Sequence, residues 1–373
     1  MSGVSTTAVV VRAVTAGATL EEVDIEGPHP GEVLVRVAAS GICGSDLHVL
    51  HGRSPVAVFP LVLGHEGAGV VAEVGDGVTG VAAGDHVVLA LYGPCHACAN
   101  CQTGHFTRCD GAPRVSAISG RMADGSTRVR GASAAPLYPF CGLGTMAGYV
   151  VVREAQLVRV DPTIPLDLIC LAGCGVTTGL GAVFNIAQVS PGDTVAVVGC
   201  GGVGLNVVQG ARIAGATTIV AVDSNPLKLD LARRLGATHT ADPTGVGILA
   251  AIVGVVPGGV DVAFEVVGSP ELVAEAFNAT RPEGTCVMVG SPPPASTIPI
   301  DGRALFNGRR LLGCLGGSNV PARDIPRIAA LYQQGSLDLD TLVTRRRPLV
   351  EFAEAIGETE RGEVARSVLT IDG

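Results

Sequence analysis

The sequence predicts an α/β protein in which a β-barrel domain is joined to a doubly wound parallel sheet. Three observations carry this. The first part of the chain consists of short β-rich runs broken by turn residues; the part after about Pro191 alternates strand, turn and helix; and a glycine-rich strand-to-helix turn opens that alternation. With 373 residues, 47% of them hydrophobic and 16% charged, the chain can fill two or three domains, each with its own core. A formal net charge of −9 argues against nucleic acid as a partner. The opening residues MSGVSTTAVVVRAV lack the ordered regions of a signal peptide, and no uncharged apolar run reaches membrane-spanning length, so the expected setting is cytoplasmic, without a membrane.

From Thr7 to about Leu91, the runs EVLVRVAAS, GAGVVAEVGDGV and GDHVVLA are each bounded by Gly, Pro or Asp, which reads as a compact barrel. Residues 111–140, rich in Gly, Arg, Ser and Pro and without periodicity, read as a surface loop. After Pro191, TVAVVG, GVGLNVVQGARIAG, TIVAVD and NPLKLDLARRLG form strand–helix repeats. VDVAFEVVG and GTCVMVG add strands, with a helix between them at about 270–280, and the sheet is expected to close near Leu312. The helical run IPRIAALYQQG and the ending EVARSVLTID are expected to return to the first domain. The division expected is 1–177 for the barrel and its cysteine-rich lobe, 178–314 for the parallel-sheet domain and 315–373 for the return.

The turn Gly199-Cys-Gly201-Gly-Val-Gly204 follows an apolar strand and opens a helix, the context that a bare GxGxxG lacks. Gly199 permits the tight turn, Gly201 lets backbone approach a pyrophosphate, and Gly204 lets helix and strand pack closely. Gly202 and Val203 start the helix whose N-terminus carries the phosphate charge. Asp223, at the end of TIVAV, can accept hydrogen bonds from ribose hydroxyls and would repel a 2′-phosphate, so the expected cofactor is NAD and not NADP. Lys228 could reach the ribose; it reads equally well as an ordinary solvated lysine.

Eleven cysteines in a chain without an export signal read as thiols and metal ligands and not as disulfides. Cys95, Cys98, Cys101 and Cys109 are spaced C-x2-C-x2-C-x7-C, which encloses one tetrahedral zinc with four thiolates and leaves no position for substrate, so that site is structural. An iron–sulfur run also begins C-x2-C-x2-C but continues x3-C-P, which this chain does not. Cys43 in GICGSD, His65 in GHE and Cys174 in GCGVTTG form a second set, two sulfurs and an imidazole, with a fourth position left open for chemistry. Cys141, Cys170, Cys200, Cys286 and Cys314, among apolar or glycine neighbours, read as small core hydrophobes.

GICGSDLH, GHEGAGVV, the four-cysteine run, AGCGVTTG, GCGGVG and the acid ending the second strand occur in this order, and the chain resembles the zinc-dependent medium-chain alcohol dehydrogenases almost end to end. The resemblance is to the longer animal- and plant-type members, which include glutathione-dependent formaldehyde dehydrogenases. It implies a GroES-like catalytic domain, a Rossmann domain, an active site in the cleft between them, and a homodimer. The ligand set Cys43, His65 and Cys174 is the known one for such enzymes, so its open geometry is taken from that precedent. By resemblance, Asp46 orients His65, Glu66 is the acid behind the metal, Ser45 and His48 relay the alcohol proton through the nicotinamide ribose to solvent, and Arg366 contacts the cofactor pyrophosphate. Phe59, Leu91, Met146 and Leu315 match pocket positions or flank them, and they also read as plain core residues.

The chain departs from the pattern at Gly44, where many relatives place Arg or His against the pyrophosphate; weaker electrostatic retention of NAD is expected. Arg114 lies near the position where formaldehyde-specific relatives hold a glutathione carboxylate, but the acidic contacts expected for that substrate are not evident in GRSPVAVFP. SGRMADGS resembles a stretch in relatives that use mycothiol adducts or keep NAD tightly bound. The expected reaction is oxidation of a primary or secondary alcohol, bulky or aromatic, to aldehyde or ketone. The alternatives are a thiol-adduct dehydrogenase, a nicotinoprotein, and a degenerate structural or quinone-binding member of the fold.

Overall fold

The computed structural model describes residues 3–14, 16–111, 119–122 and 124–372. It divides into two compact units, one formed by 1–174, 320–333 and 343–373, the other by 175–319 and 334–342. The stretch 334–342, expected with the return to the first domain, lies instead with the second unit. Gln209, on helix Gly202–Ala214, holds it there: its Nε2 donates to the Asp338 carbonyl (3.1 Å) and its Oε1 accepts the Asp338 N–H (2.8 Å).

The first unit contains a closed barrel of Val4–Val11, Ala18–Ile25, Val129–Arg130, Pro136–Pro139 and Leu61–Val62. Beside it runs a seven-stranded sheet centred on Glu32–Gly41. That strand pairs antiparallel with Glu66–Val74, Gly41 opposite Glu66, and with Arg366–Thr370, so the chain's closing strand lies against the centre of the sheet. Valine and leucine on the buried faces (Val9, Val33, Val35, Val87, Leu89, Val151) make one continuous core. β-Branched residues pack well on a pleated surface, which is why these runs become strands.

Part of segment 111–140 is barrel and not surface loop. Val129–Arg130 pairs with Ala18–Ile25, and Pro136–Pro139 pairs with Leu61–Val62. Buried Arg128 donates from Nε and Nη2 to both oxygens of Glu32, at 2.8 and 2.7 Å. Strands this short show no period, and their pairing is with distant sequence, so the composition hid them. Residues 112–118 and 123, including Arg114, lie outside the described residues.

The second unit is a six-stranded parallel sheet in the order His239–Ala241, Thr218–Val222, Thr194–Val198, Val260–Glu265, Thr280–Met288, Arg310–Gly313. Its helices include Gly202–Ala214, Pro226–Leu235, Ile248–Val255 and Pro270–Asn278. The first strand of the unit, Thr194–Val198, has later strands on both sides, so the order reverses at its carboxyl end, where sheets of this kind bind ligands. Among the described residues no single helix is long and apolar enough to cross a membrane.

Candidate active site

Cys43 is the N-cap of helix Gly44–Leu50, at the end of the central strand's return; His65 immediately precedes strand Glu66–Val74; Cys174 ends a short 3-10 helix. The strand pairing thus delivers residues distant in sequence to one point. One ligand atom each from Cys43, His65, Glu66 and Cys174 lies within 4.8 Å of the others. Gly64 is required just before the histidine: its φ is +94°, and a Cβ there would meet the Met146 backbone nitrogen at 2.6 Å.

Asp46, fully buried, organises the cluster. Its Oδ1 lies 3.2 Å from His65 Nδ1 and its Oδ2 accepts the Cys43 N–H at 2.9 Å. His65 Nδ1 therefore carries the proton, and the buried Nε2 is left without a hydrogen-bond partner. A bare imidazole nitrogen beside two sulfurs has the chemistry of a zinc donor set, and the residues fit that ion. Against burial, which lowers it, Asp46 and then Cys43 push the His65 imidazole well above its ordinary pKa. A hydrogen bond with Cys174, opposed by burial and aided by His65, holds the Cys43 thiol well below its ordinary value; the same contact, with burial, pushes Cys174 well up.

Glu66 and Arg366 form a buried ion pair behind this cluster. Arg366, the residue expected at the cofactor pyrophosphate, pairs with Glu66 through one Nη, within the first unit. Ser45 and His48 lie one turn apart on helix Gly44–Leu50, both half-buried. Burial, then Arg53, lower the pKa of His48; Cys43 opposes them and His51 adds to the lowering. The space beside Gly44 is open: a Cβ at that position would meet nothing within 4 Å.

The other four cysteines gather in a separate lobe, ligand atoms again within 4.8 Å. Sulfurs about 2.3 Å from a central zinc stand about 3.8 Å apart, and the Cys95–Cys101 and Cys98–Cys109 pairs stand at 4.0 Å. Backbone N–H groups of Ala97 and Cys98 hold the Cys95 thiol down to about 6, whereas burial pushes Cys101 up to about 12. Burial thus works against a thiolate at Cys101, and a dication at the centre of the lobe would favour one.

In the second unit, Gly199 takes φ +92°, and a Cβ on Gly204 would sit 1.9 Å from the Gly199 carbonyl oxygen, so only glycine lets the helix start there. Nothing lies within 4 Å of a Cβ on Gly201, which leaves its backbone open to a ligand, with Gly202 and Val203 in the first helical turn. Asp223 is fixed by the N–H groups of Cys200 (2.8 Å) and Asn225 (2.9 Å), one to each oxygen, leaving a lone pair on each for ribose hydroxyls. Lys228 is half-buried at the start of helix Pro226–Leu235, and its charge reaches Cys200.

The expected pocket residues do not behave alike. Phe59 and Leu91 are half-buried against the core of the first unit, and Leu315, in the second unit, is 48% exposed. Met146 is 0% exposed and belongs to the buried core of the first unit. Phe140, which no sequence motif singles out, stands edge-on to the His65 ring at 5.4 Å. Beside it, Cys141 takes φ 55°, and burial pushes its thiol up to about 12 while the charges of His65, Asp46 and Cys43 act on it. Phe140 ends the segment that reads as loop and Cys141 follows it, where nothing in the spacing points to the histidine.

Residues 29–162 match the family described as alcohol dehydrogenase GroES-like domain, and residues 202–334 that described as zinc-binding dehydrogenase. The chain is 40% identical over 351 residues to the S-(hydroxymethyl)glutathione dehydrogenase of Escherichia coli O157:H7, covering 93% of this chain and 95% of that one. Among solved structures, an alcohol dehydrogenase zinc-binding domain protein from Burkholderia ambifaria superposes with a TM-score of 0.94 at 39% identity, over all of both chains. The benzyl alcohol dehydrogenase of Acinetobacter calcoaceticus superposes with a TM-score of 0.92 at 34% identity, over 99% of this chain and 100% of that one.

Proposed function

Because the chain belongs to the zinc-dependent medium-chain alcohol dehydrogenases, a family of NAD-dependent oxidoreductases, we propose that it oxidises a bulky or aromatic primary alcohol reversibly to the aldehyde, with Cys43, His65 and Cys174 holding the catalytic zinc and Cys95, Cys98, Cys101 and Cys109 the structural one. The observation that carries this is the partnerless His65 Nε2 gathered with two sulfurs while Asp46 holds Nδ1.

When bound, zinc supplies Lewis acidity that makes an alcohol proton easy to lose, and NAD supplies the hydride acceptor. The chain's residues do the rest. Asp46 keeps the proton on His65 Nδ1 and so keeps Nε2 free to donate its lone pair. Ser45 Oγ would accept the substrate's hydroxyl proton as it gives up its own, and His48 would hand one proton on to solvent. Asp223 orients the adenosine ribose and disfavours a 2′-phosphate, which supports NAD over NADP. Phe140 covers one side of His65 and keeps water from it.

The likeness to a benzyl alcohol dehydrogenase supports an aromatic substrate. The relatives at 40% identity support a second reading, oxidation of the hydroxymethyl adduct of a thiol such as glutathione. A cytoplasmic homodimer completes the proposal; Phe306, 87% exposed beside edge strand Arg310–Gly313, supports pairing with a second copy. Steady-state rates for ethanol, octanol, benzyl alcohol, cyclohexanol and S-hydroxymethylglutathione, each with NAD and NADP, test the reading. The highest kcat/KM is expected for benzyl alcohol with NAD; dominance of the glutathione adduct selects the second reading, and activity with none overturns both.

A further inference from the structure

His48 ends the proposed proton relay, and the chain folds back on it. The N–H groups of Arg53 and Ser54 both donate to the His48 carbonyl, at 2.7 and 3.1 Å, so the chain after the helix turns back onto the residue that carries the imidazole. Arg53 Nη2 donates to His51 Nδ1 at 2.9 Å, so His51 holds its proton on Nε2, and that nitrogen donates to Glu360 Oε1 at 2.9 Å. Glu360 closes helix Phe352–Glu360, an element far away in sequence. The result is a strap, Glu360 to His51 to Arg53, across the end of the helix that carries Ser45 and His48.

Stability does not account for the strap. His51 and Glu360 are 45% and 38% exposed, and exposed pairs of this kind contribute little. What the strap does accomplish is to fix the direction of one long, otherwise mobile cation. We propose that Arg53, held by His51 and Glu360, is a positioning residue of the proton relay: the strap fixes its charge at the end of the helix that carries His48, so that the imidazole accepts the proton and releases it promptly to water. This rests on the relay reading above. The groups that act on His48 are consistent with it. Burial and then Arg53 lower its proton affinity, the Cys43 sulfur opposes them, and His51 adds to the lowering; Glu360 acts only through His51. In balance, His48 takes up one proton from the relay and gives one to solvent, so no co-reactant beyond water is needed.

The test is the pH dependence of kcat/KM for benzyl alcohol with NAD, alongside NMR titration of the His48 ring in the zinc-loaded protein, its signal assigned by loss in His48→Gln. Arg53→Met and Arg53→Gln are expected to move the ascending limb and the ring titration upward together, by about half a pH unit. Arg53→Lys restores the native values, and Glu360→Ala produces a smaller upward shift by freeing His51. A limb that disappears in His48→Gln yet stays in place in both neutral Arg53 variants overturns the assignment of Arg53 alone. A limb that survives His48→Gln overturns the relay reading and this inference with it.

Discussion

Replacing Asp46 by Asn removes one charge and one lone pair from the centre of the cluster, and the structure dictates how the loss is felt. The amide oxygen can still accept the Cys43 N–H now held by Oδ2 at 2.9 Å. The amide nitrogen then faces His65 Nδ1, 3.2 Å from the present Oδ1. Two donors would meet, so His65 must move its proton to Nε2, the nitrogen that zinc needs bare. Loss of an outer partner of a zinc-bound histidine costs about 10–100-fold in metal affinity, and a forced tautomer change places Asp46→Asn at the upper end, about 2.7 kcal/mol. Competition against a chromophoric chelator measures it: one zinc per chain weakens by about 100-fold, and the zinc of the four-cysteine lobe is unchanged. Native affinity for both zincs in Asp46→Asn would refute the reasoning, because the tautomer would then not matter.

Cys98→Ser is expected to lower the thermal midpoint and to abolish its rise on adding zinc, since a closed thiolate site contributes folding energy only while all four sulfurs hold the ion; calorimetry with and without zinc checks this. Arg128→Ala strands the buried Glu32 carboxylate at the start of the central strand Glu32–Gly41 and should cost about 3–5 kcal/mol in urea unfolding, whereas the double variant Glu32→Leu, Arg128→Met recovers most of that. Glu265, buried with Oε1 taking the N–H groups of Val267, Gly268 and Ser269 and Oε2 unpartnered, has its pKa raised by burial against those bonds. A carboxyl raised in the folded state contributes stability that is complete below its unfolded pKa and is lost as pH rises through the folded one. Glu265→Gln should therefore gain on the native protein as pH is raised from 4 to 8 in thermal unfolding, by a margin that a surface Glu→Gln control does not show.

Residues with local signatures were legible before the structure. The four-cysteine spacing, the strand–glycine–helix context of Gly199 and the acid at Asp223 each depend on neighbours a few residues away, and the parallel sheet of the second unit follows from long apolar strands with clear breakers. What the sequence concealed depends on distant pairing. Val129–Arg130 and Pro136–Pro139 are too short to show a period, and they become strands because the barrel supplies partners. The Arg128–Glu32 pair joins positions that no spacing rule connects. Phe140 meets His65 next to Cys141, whose positive φ non-glycine residues seldom adopt, and no spacing rule foretells either. Met146 packs against Gly64, the glycine just before His65, a contact across 82 positions that no spacing rule foretells. The strap from Glu360 to Arg53 likewise joins a helix near the end of the chain to one near its start.

Anomalous diffraction at the zinc edge, from crystals of the zinc-loaded protein, tests the central claim most directly. Two peaks per chain are expected, one about 2.3 Å from Cys43 Sγ and Cys174 Sγ and about 2.1 Å from His65 Nε2, the other about 2.3 Å from each sulfur of the four-cysteine lobe. A single peak in the lobe, with no density shared by Cys43, His65 and Cys174, would contradict the account.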